Sequence, residues 1–244
     1  QSLAQTVEKN TADIVPLIET YVDAINGADT NDGSEAHPVK TINEALTRVK
    51  PDMRIFLMRG QTHTITATNA LLTGIALGIL AYGTGAKPIL TALTYTDSIG
   101  EQGTYGINTR SCSIDFLDIH IITPVNPTAN PISFVHTGIL SLSLFTGMKI
   151  NLLSSDITIN DFSFYNQPAG RNHIDISMYS TVMVLVGAWN SNRVLIRLNP
   201  EGTSTFQASL VTLTGFTGWS QAVTGALRDA TGSMMNITTS IATL

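Results

Sequence analysis

The chain has little charge, a single cysteine and no apolar run of membrane length. Of 244 residues, 13 are Lys or Arg and 18 are Asp or Glu, giving a charged fraction of 13% and a formal net charge of -5. The basic residues stand singly along the sequence, which excludes a nucleic-acid surface, because counterion release needs clustered cations. Attachment to a membrane through a basic face fails on the same ground. Cys112 has no partner for an intrachain disulfide and, flanked by Ser111 and Ser113 in a strand-like run, reads as a small buried or half-buried filler. Positions 60–86 hold no charged side chain, yet their apolar part, Ala70 to Tyr82, is short and broken by Thr73, Gly74 and Gly78. It falls below the roughly 18 residues a membrane helix requires, so no membrane insertion is expected. No basic or apolar leader follows Gln1, so the chain is expected to start inside a longer protein or after processing.

What remains is rich in small hydroxyls and branched apolar side chains. Thr and Ser occur 33 and 19 times, and apolar residues make up 43%, a balance that excludes disorder and suits short strands with hydroxyl-bearing outer faces. Alternating runs begin near Ile55, Ile65, Ile75, Ile114, Ile139, Ile157, Ile174, Val194 and Val211. The later ones, from Ile139 on, recur at intervals of roughly 17 to 20 residues, which fits one coil of a stacked β solenoid. Seven or eight coils at about 4.8 Å each would make a stalk on the order of 35 Å long. Gly, Asn and Pro stand between the runs, as in Asn126-Pro127 and Asn199-Pro200. A β-sandwich is the competing architecture.

The first twenty residues follow another period. Leu3, Val7, Asn10, Ile14, Leu17 and Tyr21 are separated by 4, 3, 4, 3 and 4, a heptad seam with Leu3, Asn10 and Leu17 at d and the others at a. So short a helix, limited further by Pro16, is marginal alone and implies an oligomer. The segment Val7 to Ile14 resembles the VxxNTxxI/L motif of trimeric coiled coils in autotransporter adhesins and phage fibres. That resemblance implies Asn10 holding an anion such as chloride on the threefold axis, with no other cofactor.

From Tyr21 onward, Asn26-Gly27 and Asp32-Gly33 are turn dipeptides, Pro38 keeps His37 extended, and Thr41 with Glu44 forms a capping box. The helix that follows places Ile42, Ala45, Leu46 and Val49 on one face and ends before Pro51. The extended strand Tyr21-Val22-Asp23, the Gly27-to-Gly33 loop, Pro38-Val39-Lys40-Thr41-Ile42-Asn43-Glu44-Ala45 and the strand Arg54 to Gly60 resemble the entrance of phage tailspikes and other pectate-lyase-like proteins. The resemblance implies an all-β fold: a right-handed parallel β-helix, homotrimeric, with a short N-terminal coiled-coil stem (1–20), a capping segment with its helix (21–52), the β-helix (53–215), and a C-terminal cap or trimer-closing strands (216–244). It also implies a place in the virion tail, contact with other phage tail proteins on the N-terminal side, and attachment to a host surface polysaccharide. A bacterial trimeric adhesin would fit the stem but not the capping string.

Three kinds of site are candidates. Asp29 to Gly33 begins like a calcium loop, but the twelfth position falls on Lys40 where a bidentate Glu is required, so a capping turn is expected and no metal. Asp118 with His120 and His173 with Asp175, each spaced i, i+2, are expected to share strand faces as hydrogen-bonded pairs, short of the ligands a zinc site needs. For glycan cleavage the carboxyl candidates are Asp115, Asp118, Asp156, Asp161, Asp175 and Glu201, and for a lyase the cations Lys149, Arg171, Arg193 and Arg197. Short length and few cations favour binding over catalysis, and no catalytic residue is assigned. Binding candidates are Trp189, Asn190, Asn192 and Arg193 in one Gly/Asn-rich loop and Trp219 in a second, since glycans use an aromatic face with polar groups around it. The alternative is that either Trp packs between subunits. Phe56, Met58, Ile122 and Leu195 are expected outside the coil, wet unless three chains cover them. A polysaccharide depolymerase and a purely architectural tail or baseplate part remain open alternatives.

Overall fold

The computed structural model describes residues 18–67, 71–128, 130–133, 138–142, 147–166, 173–190, 193–197, 203–225, 230 and 237–239. The heptad segment, Asn10 included, lies outside them except at its end. There Tyr21 is in a strand, β1 (Glu19–Val22), as the extended Tyr21-Val22-Asp23 reading implies and the heptad seam does not, and its ring stacks on Phe56 at 4.8 Å. Pairing of β1 with the strand after the helix gives Tyr21 a ladder position, which outweighs a helical seam that Pro16 already weakens.

Between β1 and the stack comes α1 (Ile42–Thr47), packed against the first strands with Ile42, Ala45 and Leu46 buried. Half of the expected capping box forms. Glu44 N donates to Thr41 Oγ1 at 3.1 Å, but the Glu44 carboxylate turns to Arg48 Nε at 2.8 Å. Asp29 fills the vacated role, accepting from Lys40 N, Thr41 N and Thr41 Oγ1 at 2.8 to 2.9 Å. The acidic loop is therefore the helix's capping turn.

The rest is mostly β, built from parallel sheets, in a parallel β-helix-like coil. The first coil is β2 (Met53–Met58), β3 (Thr62–Ile65) and β4 (Leu72–Thr73). The second is β5 (Ala76–Tyr82), β6 (Ile89–Ala92), an inserted antiparallel hairpin of β7 (Thr94–Thr96) and β8 (Gln102–Thr104), and β9 (Ile107–Arg110). The third is β10 (Cys112–Leu117), β11 (His120–Ile122) and β12 (Gly138–Leu142), and the fourth β13 (Gly147–Leu153), β14 (Asp156–Ile159) and β15 (Ser163–Asn166). The fifth is β16 (His173–Tyr179), β17 (Val182–Leu185) and β18 (Ile196–Arg197). The sixth is β19 (Thr203–Ser209), β20 (Thr212–Thr214), α2 (Trp219–Ala222) and β21 (Val223–Thr224), and β22 (Ile237–Thr239) follows. Strands of each coil fall in turn into sheets A, B and C, of eight, six and six strands, all parallel. Seven steps of about 4.8 Å make sheet A about 34 Å tall. Parallel pairing continues past position 215 through β21 and β22.

Coil length departs from the interval read in the sequence. Ile55, Ile79, Phe116, Leu152, Met178 and Ala208 occupy one column, so every coil is longer than that interval and no two neighbouring repeats need match. The step from Ile55 to Ile79 is the shortest, and that from Ile79 to Phe116, which carries the inserted hairpin, the longest. The runs at Ile139, Ile157, Ile174, Val194 and Val211 belong to, or lead into, β12, β14, β16, β18 and β20, every second strand of a three-strand coil. Their spacing measured two thirds of a turn.

Alternation drives the core. In β10, Cys112, Ile114 and Phe116 are buried while Asp115 and Leu117 face out, and Ile150, Leu152, Ile174, Ile176 and Met178 continue those columns inside. Each such side chain contributes roughly 1.5 to 3 kcal/mol by leaving water. Leu195 is fully buried, contrary to expectation, because β18 and its approach are covered on both faces: Leu195, Ile196 and Arg197 are all buried. Phe56, Met58 and Ile122 are half-buried.

The A–B corner repeats a two-residue turn. Asp118, Ser154, Ser180 and Leu210 stack there with φ of 61°, 49°, 52° and 54°, and each of the first three donates its N–H to the next coil at 2.9 to 3.2 Å. The next residue inward is polar in two coils: Ser155 and Thr181 are fully buried and bond to carbonyls of Phe116, Leu153, Leu152 and Tyr179.

Candidate functional site

Because the coils stack in register, the outward positions of sheet A line up as ladders. Phe56, Leu80, Leu117, Leu153, Tyr179 and Ser209 form one column. Arg54, Gly78, Asp115, Asn151, Ser177 and Gln207 form the next, and Ala76, Ser113, Lys149, Asp175 and Thr205 a third. An apolar track, with Leu117, Leu153 and Tyr179 40, 41 and 51% exposed, thus runs beside amides, hydroxyls and carboxylates. Asn151 Nδ2 donates to Asp115 Oδ1 at 2.5 Å. His173 and Asp175 share the face as expected, Nε2 to Oδ1 at 3.1 Å, and His173 Nδ1 meets Thr203 Oγ1 at 2.8 Å.

Clefts open on this face. One of about 440 Å³ lies against coils four to six between Asn151, Leu153, Ser177, Tyr179 and Gln207. A cleft of about 210 Å³ adjoins it at Lys149, Asp175 and Thr205, and one of about 260 Å³ lies at Arg54, Gly78 and Asp115. Apolar wall, paired amide and hydroxyl ladders and an open long axis are what a linear glycan needs: a surface for C–H faces and donors and acceptors for hydroxyls.

The two tryptophan loops also come together, at the B–C corner of coils five and six. Trp189 is 42% exposed, and its Nε1 donates to Gln221 O at 2.9 Å in α2, whose first residue is Trp219. Trp219 is half-buried with its ring edge-on to Phe206 at 5.2 Å. Arg193 is engaged inside the protein: its guanidinium donates to Val186 O and Ala188 O at 3.1 and 3.2 Å and pairs with Asp161 of the coil below. Gly187 lies beside it at φ 82°, a left-handed backbone conformation that a side chain would strain. Asn190 accepts from Arg193 N at 3.1 Å. Asn192 lies outside the described residues, as do Arg171 and Glu201.

The remaining carboxylates are dispersed. Asp118 and His120 do not pair, because Asp118 occupies the left-handed corner and leaves the strand; it meets Arg59, and Lys87 at 3.9 Å. Lys87 also donates to Asp156 at 2.9 Å, and His120 Nε2 meets Thr158 Oγ1 at 2.9 Å. Burial pushes His120 below its ordinary value, against the pull of Asp156. This corner is a charge ladder tying coils one to four. Asp161 is tied to Arg193 and to Asn126 N at 2.8 Å, and Arg197 is buried in β18. Among the described residues no three His, Cys, Asp or Glu cluster as a metal site would require.

Sequence reasoning missed Asn151, Ser177, Tyr179 and Gln207. They share a face only through inter-coil register, and coils of unequal length leave no fixed spacing to read.

No protein-family model matches the chain, and no curated protein does. Among solved structures, a rhamnogalacturonan lyase is similar, with a TM-score of 0.44 and 13% identity over 81% of this chain. The match spans 56% of that protein's length.

Proposed function

We propose that the chain is a right-handed parallel β-helix, the hand nearly all parallel crossovers take, that assembles as a homotrimer. Its role in this reading is the receptor-binding module of a bacteriophage tail fibre or tailspike, holding a host surface polysaccharide along the outer face of sheet A. One observation carries it: the in-register track of Leu117, Leu153 and Tyr179 beside Asp115, Asn151, Ser177 and Gln207. The tailspike-like string from Tyr21 to Gly60 supplies the viral context. Exposed Leu93, Val125, Val186 and Trp189 follow the B–C side and supply apolar surface for neighbouring copies, in keeping with an Arg193 already spent within its own loop. Three equivalent faces on one shaft would raise avidity without tight single sites.

The test is binding of the purified protein to capsule and O-antigen preparations, with mass in solution from light scattering. A trimer that binds a preparation, and loses binding in Tyr179→Ala and Asn151→Ala, is expected; a stable monomer or absence of binding to every preparation refutes it.

A depolymerase draws on Asp115 and Asp175, which open on the same face. Sheet spacing puts their Cα atoms about 12 Å apart, and each carboxylate already holds a partner, Asn151 or His173. Release of reducing ends from the bound polysaccharide, abolished in Asp115→Asn or Asp175→Asn, would establish that reading instead.

A further inference from the structure

We infer that the polymer held on sheet A is acidic, its negative groups received by Arg54 and Lys149; this rests on the glycan-binding reading. The argument is a comparison of charges on one face. Three carboxylates there have donors: Glu19 from Tyr21 Oη at 3.0 Å, Asp115 from Asn151 at 2.5 Å, Asp175 from His173 at 3.1 Å. Neither cation has an acceptor among the described residues. Lys149 stands in register with Asp175 without an ion pair forming, and the Arg54 guanidinium makes no bond to them although Glu19 is its register neighbour and Asp52 and Asp115 share its cleft. Four other cations, Arg48, Arg59, Lys87 and Arg193, are paired within the fold.

Both cations line clefts. Arg54 bounds the one of about 260 Å³, where Gly78 leaves room for its stem: a Cβ at position 78 would come within 3.3 Å of Arg54 Cγ. Lys149 bounds the one of about 210 Å³ that runs into the apolar cleft at Leu153 and Tyr179. Three coil steps and two positions along the strand separate the two Cα atoms, about 16 Å along the sheet. That spacing suits charges recurring along an extended chain, with the Asn151, Ser177 and Gln207 ladder between and beyond them for hydroxyls. Charge-assisted contacts to carboxylate or phosphate oxygens are the stronger kind and add selectivity over neutral glycans.

The test uses the full chain against uronate-bearing capsular polysaccharides and the carboxyl-reduced form of each, by biolayer interferometry at low and high salt. The expected result is binding to an acidic form, at least tenfold weaker binding to its reduced form, and weakening by salt. Arg54→Gln and Lys149→Gln should each lose about fivefold, the scale of an exposed charge pair, while Arg110→Gln, on exposed Arg110 of sheet C, changes nothing. Equal binding of acidic and reduced forms, or binding strengthened by salt because the net charge of -5 dominates, overturns the inference and leaves glycan binding standing. Binding to no polysaccharide overturns both.

Discussion

Leu210 offers the sharpest check on the coil. It occupies the corner position that Asp118, Ser154 and Ser180 hold in earlier coils, at φ 54° and 71% exposed. A bulky L-residue in the left-handed region is strained by roughly 1 to 2 kcal/mol, whereas Asn tolerates that region through its short polar side chain. With most of Leu210 in water, little burial is lost on substitution. Leu210→Asn is therefore expected to stabilise the folded chain by about 1 kcal/mol, a rise in Tm of about 2 to 4 °C for a domain of this size. Urea unfolding followed by circular dichroism, with rates measured in both directions, reads the change without relying on reversible heating. Ser180→Asn, at the same corner with a residue already small, should move stability far less. If Leu210→Asn destabilises by more than about 0.5 kcal/mol while Ser180→Asn is neutral, the strain argument fails, and Leu210 is packed against something a single chain does not contain.

Three further outcomes follow from the same geometry. Ser155→Ala removes an oxygen that accepts from Ile119 N at 3.3 Å and strands that buried N–H, so a loss of about 1 to 3 kcal/mol is expected in urea unfolding; a neutral result would mean the corner ladder is ornamental. Arg193→Ala frees Val186 O and Ala188 O and leaves Asp161 with Asn126 N alone, at a cost of about 1 to 3 kcal/mol, with altered Trp189 fluorescence as the loop loosens; unchanged emission and stability would refute the clamp. Burial pushes His63, 2% exposed, below its ordinary 6.5 despite its bond to Met58 O. The unfolded chain then takes a proton that the folded one refuses as pH falls through about 6.5, so stability should drop on acidification by up to about 1.4 kcal/mol per pH unit from this group. An imidazole titration by NMR placing His63 at or above 6.5 would overturn this.

Much of the fold was legible because it is local. Pro38, Thr41 and the apolar face Ile42, Ala45 and Leu46 place α1 without any tertiary knowledge, and the alternation in 112–117 and 156–159 gives strands directly. The coil length was not legible. Strands of all three sheets alternate alike, so a run at Ile157 in sheet B and one at Ile174 in sheet A look like successive repeats when they are unlike sides of the coil. The Glu44 carboxylate escaped for a related reason: Arg48 and Asp29 compete for the same groups, and only coordinates say which wins.

The site shows the same division more sharply. A loop motif such as Gly187 to Arg193 advertises itself by composition, and the structure spends its most conspicuous member, Arg193, on holding the loop. The face of sheet A is built from side chains that are ordinary one at a time: Asn151 in one coil, Ser177 in the next, Gln207 in the one after. None is unusual in its own strand, because any outward strand position tolerates a polar side chain. Their meaning is collective and arises from register, which the core columns enforce: slipping β16 by one residue against β13 would turn Ile176 and Met178 outward together with every polar partner inward. The same apolar alternation that specifies the core therefore aligns the outer ladder, and the proposed binding surface would be set by inward-facing residues that a bound polymer does not touch.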